Sequence, residues 1–127
     1  MNKKEMTEHQ IQAAVFEWVR VKANSDDRYK MIYAVPNGAR TSIGVAMKLK
    51  AEGLTKGVFD IVVDVPIMPF HGLRIEVKKP QGVVSPEQKE RKKLYEKYGY
   101  LARVCRGIDE IMTVIETYFE GKWKNAK

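Results

Sequence analysis

The sequence is poor in the residues that build covalently stapled or zinc-clipped scaffolds. Cys105 is the only cysteine, so no internal disulfide can form. Neither it nor the two histidines, His9 and His71, belongs to a cluster with zinc-ligand spacing. Cys105 reads as a buried strand residue, and a reduced, cytoplasmic setting fits best. Long apolar runs are missing too. Nothing approaches the roughly 18 residues that argue for a membrane-spanning helix, and the opening MNKKEMTEHQ has no signal-peptide core. Repeats, low-complexity tracts and a dividing linker are also lacking, so the 127 residues are expected to form one domain. A chain of that size buries about two-thirds of its unfolded surface.

Acidic charge is the remaining shortage. Against 16 Asp and Glu stand 23 Lys and Arg, a formal net charge of +7. This asymmetry favours a polyanionic partner, nucleic acid and acidic membrane surfaces being the usual candidates. Hydrophobic residues at 44% and charged residues at 31% place the chain among soluble globular proteins.

What the chain does contain is organised around residues 57–78, GVFDIVVDVPIMPFHGLRIEVK. Two β-branched apolar runs, 58–65 and 73–77, flank a turn-rich 66–72. An antiparallel hairpin centred on Met68 pairs Asp60 with Glu76, and Asp64 with Gly72. Opposed residues share a face with Cβ atoms about 4.5–5.5 Å apart. Lys78, two residues past Glu76, joins that face because strand side chains alternate. Ile61, Val63, Val65, Leu73, Ile75 and Val77 take the other. Opposed like charges destabilise a sheet, so Asp60 and Glu76 call for a counterion. A hard divalent cation is the simplest, since Mg²⁺ is held by one or two carboxylates plus waters and phosphate oxygens. Lys78 then lies where an ammonium positions or deprotonates an attacking water and offsets developing negative charge. The competing reading is an ordinary salt-bridged sheet edge in solvent, and a bulge would shift the register.

Around this centre the chain alternates helices and strands. Thr7 and Gln10 form a capping-box pattern opening a helix through about Ala23. Its apolar stripe is Ile11, Ala14, Val15, Trp18 and Val19, with Glu8 and Gln12 on the border. Glu8 also suits a first turn through the helix dipole alone. A polar connection at 24–28 leads to a strand at 30–35, and Pro36-Asn37-Gly38 is strong turn chemistry. Thr41 or Ser42 caps a short helix reaching Glu52, with Gly53 at its C′ position. Ser85, Pro86 and Gln88 supply the cap, first residue and capping-box partner of a third helix, and capping alone accounts for Gln88. Lys89, Arg91, Lys92, Lys93 and Lys97 make this helix strongly basic; Leu94, Tyr95 and Tyr98 supply its apolar side. Such a run is usually a solvated face, but near a cation site that gathers phosphate oxygens it reads as a set of phosphate contacts. Gly99 ends the helix and 100–105 is a fourth strand. Ile108, Ile111, Met112, Ile115, Tyr118 and Phe119 then recur at helical spacing. The tail GKWKNAK is basic and reads as mobile; Trp123 there could stack on a base, but an exposed tail tryptophan more often has a modest packing role.

Asp60 followed by Glu76-Val77-Lys78 resembles the PD-(D/E)xK nuclease signature. The ordered set Glu8, Pro36-Asn37-Gly38, Gly57-Val58-Phe59-Asp60, Glu76-Val77-Lys78, Gly82 and Gln88 resembles the virus-type replication-repair nuclease domain, VRR-NUC. The match spans about residues 7–119, followed by the basic tail at 120–127. Phe59 departs from it, because the family usually has proline before the aspartate. The resemblance implies an α/β fold with a restriction-endonuclease-like core: a mixed four-stranded sheet flanked by helices, in the order α-β-α-β-β-α-β-α. It also implies a metal-dependent endodeoxyribonuclease. Asp60, Glu76, the Val77 carbonyl and Glu8 are the expected ligands of Mg²⁺ (or Mn²⁺), Lys78 the residue that activates water, and Gln88 a support to the site. Asn37, Arg40, Lys79, Lys89, Arg91 and Lys92 are the expected DNA contacts. Small stand-alone versions resemble homodimeric resolvases of four-way (Holliday) junctions, so a homodimer acting on branched DNA, in a bacterial cytoplasm or encoded by a phage, is the expectation. A flap-, nick- or end-directed nuclease and a non-catalytic DNA-binding protein are the alternatives.

Overall fold

The order of elements along the chain is α1 (Glu8–Lys22), β1 (Ile32–Ala34), α2 (Ile43–Ala51), β2 (Ile61–Val63), β3 (Leu73–Lys78), α3 (Pro86–Lys97), β4 (Leu101–Arg106) and α4 (Ile108–Phe119). The structure, a computed structural model, describes residues 5–36 and 42–125. Its strands form one mixed sheet in the order β1-β2-β3-β4. Both β1–β2 and β2–β3 are antiparallel, whereas β3 and β4 are parallel, as a connection through α3 requires. Ile61 pairs with Ile75, Val62 with Arg74 and Val63 with Leu73, the register of a hairpin centred on Met68.

One face of the sheet carries the core. Ile61, Val63, Leu73, Ile75 and Val77 are buried there with Ile11, Val15 and Val19 of α1 and Ile111, Ile115 and Tyr118 of α4. Each such side chain contributes roughly 1.5–3 kcal/mol by leaving water. Cys105 is buried as expected, and burial pushes its thiol up to about 12, so it stays protonated and inert.

Three expectations need correction. The first concerns β2, which is shorter than the run 58–65. Beyond one end, Asp64 donates its N–H to Met31, and beyond the other the Asp60 side chain replaces the backbone in the ladder. The second concerns β1. Residues Asp27–Met31 form a 3-10 turn instead of entering the strand at Lys30. The Asp26 side chain caps this turn through the Arg28 N–H (3.1 Å). Tyr29 is thereby buried edge-on between Trp18 and Phe119, at 5.5 and 4.9 Å. The third concerns α3, in which no residue is fully buried, and Leu94 and Tyr98 are exposed. Tyr95 makes its aromatic contacts, lying 5.2 Å from Phe59 and 6.2 Å from Tyr100. The tail through Asn125 is described as well, and Trp123 packs beneath the Arg103 guanidinium at 4.8 Å. No described helix is long and apolar enough to cross a membrane.

Candidate active site

The sheet splits at Asp60. Its backbone carbonyl accepts the Val35 N–H (2.8 Å), and its Oδ2 accepts the Val77 N–H (2.9 Å). A carboxylate therefore stands where the ladder would have offered a carbonyl, and Asp60 is fixed toward both neighbouring strands. The preceding residue is pinned too. The Phe59 N–H donates to the Tyr95 hydroxyl (3.4 Å), and the two rings meet edge to face. Where VRR-NUC domains usually have proline, this chain uses the N–H that proline lacks. Gly57 has a φ of 93°, and a Cβ there would sit 2.7 Å from the Glu87 carbonyl oxygen. Only glycine lets the loop entering β2 press onto the first turn of α3 in that conformation.

Glu76 and Lys78 are the buried charged residues of the described chain, at 3% and 8% exposure. Glu76 Oε2 accepts a hydrogen bond from Gln88 Nε2 (2.8 Å) and lies 3.7 Å from Lys78 Nζ. Its other oxygen, Oε1, is buried with no donor. Burial, then the nearby Asp60 charge, pushes Glu76 up to about 8. Burial raises Asp60 as well, against the pull of the Val77 N–H. Two acids that resist ionising together, one with a donorless oxygen, are suited to a divalent cation. Val77 is itself a core residue, so only its backbone meets the site; its carbonyl lies on the strand edge from which its N–H reaches Asp60. Hard oxygen donors of this kind fit Mg²⁺ or Mn²⁺.

Gln88 does two things with one amide. Its Oε1 accepts the Ser85 N–H (2.9 Å) while its own N–H donates to Ser85 Oγ (3.1 Å), completing the capping box. Its Nε2 remains for Glu76. The capping and supporting roles use opposite ends of the group and do not compete.

Glu8, at the start of α1, stands slightly apart. Its Oε2 accepts the Lys79 N–H at 3.4 Å. Among the described residues no three Asp, Glu, His or Cys side chains are gathered closely enough to hold an ion by themselves. Gly82 faces Glu8: a Cβ there would lie 2.9 Å from Glu8 Oε2 and 3.3 Å from Lys78 Cδ. The 79–82 loop is tied in turn by Arg106, whose Nη1 donates to the carbonyls of Lys79 (3.3 Å), Pro80 (3.2 Å) and Gly82 (2.6 Å). Sequence reasoning missed both Arg106 and the role of Tyr95. An arginine at a strand end and a tyrosine on a helix carry no distinguishing pattern.

Of the expected DNA contacts, Lys79 and Lys89 are exposed and Arg91 is half-buried. Lys92 is half-buried and already paired with Glu96 (3.1 Å). Asn37 and Arg40 lie outside the described residues.

An acid at the entry to β2, an E-x-K run on β3, and a mixed sheet flanked by four helices define a restriction-endonuclease-like nuclease fold. A solved structure described as a VRR_NUC domain protein is similar to this chain with a TM-score of 0.79 and 31% identity, over 97% of this chain and 96% of that one. The chain belongs to the VRR-NUC family of nuclease domains. No protein-family model and no curated protein matches it.

Proposed function

We propose that this protein is a divalent-metal-dependent endodeoxyribonuclease that acts as a homodimer on branched DNA, four-way junctions included. The observation that carries this reading is the pair of acids, Asp60 and Glu76, facing one another at the end of β2 beside the Lys78 ammonium. Asp60, Glu76 and the Val77 carbonyl would hold the cation, with Glu8 at its border. When bound, the cation supplies Lewis-acid charge to the scissile phosphate and makes water a better nucleophile at neutral pH. Lys78, whose ammonium lies 3.7 Å from Glu76 Oε2, orients the attacking water and offsets negative charge on the pentavalent transition state. Gln88 fixes the Glu76 carboxyl, and the Val77 and Val35 N–H groups fix Asp60.

DNA as the substrate fits the net charge of +7 and the cations of α3. A two-fold dimer offers two sites to opposed strands of a junction. A reducing cytoplasm, bacterial or of a phage-infected cell, belongs to the same reading. The test is incubation with labelled linear duplex, flap and four-way junction DNA in Mg²⁺ or EDTA, with the mass in solution measured by light scattering. Metal-dependent symmetric nicks in the junction support the proposal. Cutting of flaps alone would shift it to a flap nuclease, and binding without cutting in either Mg²⁺ or Mn²⁺ would leave a DNA-binding protein.

Two supporting residues give sharper expectations. Gln88→Glu keeps an acceptor for the Ser85 N–H but turns an acid toward Glu76 in place of a donor. Cleavage should fall about 10- to 100-fold and need more Mg²⁺, as outer supports of metal sites usually show. Gln88→Ala should in addition lose about 1 kcal/mol of stability with its half of the capping box. An unchanged Mg²⁺ titration for Gln88→Glu would reduce this residue to a helix cap. Gly82→Ala should displace the Glu8 carboxylate, the flexible partner in that contact, and raise the Mg²⁺ requirement with little change in melting temperature. Arg106→Ala should do the same by releasing the 79–82 loop. Wild-type metal dependence in both variants would remove Glu8 from the site.

A further inference from the structure

A groove of about 640 Å³ opens at Glu8 and Asp60 and runs back between α1 and β1, lined among the described residues by Gln12, Phe16, Arg20 and Tyr33 as well. Glu8, Gln12, Phe16 and Arg20 follow at four-residue intervals, so they form one stripe along α1. At about 1.5 Å per residue the stripe is roughly 18 Å long, enough for several nucleotides of one strand. The opposite wall is β1, an edge of the sheet. Tyr33 pairs with Val62, two residues from Asp60, and so stands on the face that carries the acids. Tyr33 is 48% exposed, and its ring has no aromatic partner among the described residues. Arg20, also exposed, marks the far end.

We infer that this groove takes an unpaired strand of the substrate as it leaves the scissile phosphate, with a base stacked on Tyr33 and a phosphate held by Arg20. The inference rests on the nuclease reading and narrows its substrate class. A groove combining an exposed aromatic ring with a cation is the arrangement used for single strands, because an unpaired base offers its flat face. Paired bases keep those faces inside the duplex and show only their edges in the grooves. The site has a natural partition. The basic helix α3 packs on β4 at one side of the sheet while β1 is the other edge, with the acids between them. Duplex phosphates meet α3, and the unpaired strand follows α1. The preferred substrate then exposes unpaired nucleotides at a branch, either permanently, as in a flap or splayed arm, or by opening pairs at a crossover.

The experiment uses the full chain in EDTA, so that binding is read without cleavage. Splayed-arm DNA carries 2-aminopurine in the unpaired strand one to three nucleotides from the branch, and a fully paired duplex carries it at the same place. The wild-type protein should quench the splayed-arm probe by stacking and leave the duplex probe unchanged. Tyr33→Ala should abolish the quenching and weaken splayed-arm binding about tenfold, while Tyr33→Phe, which keeps the ring, should preserve both. Arg20→Ala should weaken the same binding and flatten its salt dependence. Equal quenching by wild type and Tyr33→Ala, or equal binding of both probes by all variants, would overturn the inference. A protein that stacks the probe but cuts nothing in Mg²⁺ or Mn²⁺ would keep the groove and refute the nuclease reading; cleavage with no stacking would do the reverse.

Discussion

Asparagine in place of Asp60 should reduce cleavage at least about a thousandfold, on the order of 4 kcal/mol in the activation barrier, with DNA binding intact or tighter. The expectation follows from what the side chain does in the fold. The Asp60 Oδ2 accepts the Val77 N–H, and an asparagine carbonyl can accept it equally well, so the junction of β2 and β3 should hold and the melting temperature should change little. What asparagine cannot supply is the negative charge that, in the proposed reading, would draw a cation to this end of the sheet. Removing that charge beside a phosphate also relieves repulsion of the substrate. Cleavage in Mg²⁺ and DNA binding in EDTA, measured on the same preparation with a thermal melt, separate these effects. Turnover at the wild-type rate would mean that the metal ligand is elsewhere.

Metal-free protein should lose stability as the pH rises from about 5 to about 8.5. Glu76 is pushed from an ordinary 4.5 to about 8, so through that window the folded chain holds a proton that the unfolded chain has released. Stability falls with pH wherever the native state binds more protons. The contribution is therefore complete below the unfolded value and is lost as the pH climbs through the folded one. Asp60, shifted in the same direction, adds to the trend. Each tenfold gain in proton affinity on folding is worth about 1.4 kcal/mol, so the total is of the order of a few kcal/mol. Mg²⁺ should reverse the loss, and more strongly at high pH, because cation and proton compete for the same oxygens. Urea melts from pH 5.5 to 8.5, in EDTA and in Mg²⁺, measure both slopes. A midpoint that stays level in EDTA would show that Glu76 ionises normally in the fold, and Glu76→Gln should flatten the slope if it does not.

The register of β2 against β3 was legible because several local rules agree on it. The alternation of apolar and charged residues, the turn chemistry at 66–72 and the need to bury Ile61, Val63 and Ile75 admit the same pairing. Thr7/Gln10 and Ser85/Gln88 were legible as capping boxes for a similar reason, since the pattern is short and the geometry stereotyped. Less visible were the places where a side chain substitutes for backbone. Asp60 ends β2 early by taking a ladder N–H, and Asp26 turns the entry to β1 into a 3-10 turn; neither is foreseeable from strand propensity. Arg106 acts on three carbonyls across more than twenty residues of sequence, and only the fold brings them together. Phe59 first reads as a departure from the family pattern, until its N–H is seen to be in use.

Gln88 grips the frame of α3 with one end of its amide and the acid on β3 with the other. The helix whose cations would meet DNA in the proposed reading is thus wired to the carboxyl group that would hold the metal. A pull on Lys89 or Arg91 by a seated backbone would be transmitted through this strut to Glu76. Substrate engagement and alignment of the acid would then be one mechanical event, so a poorly seated strand would meet an incompletely set centre.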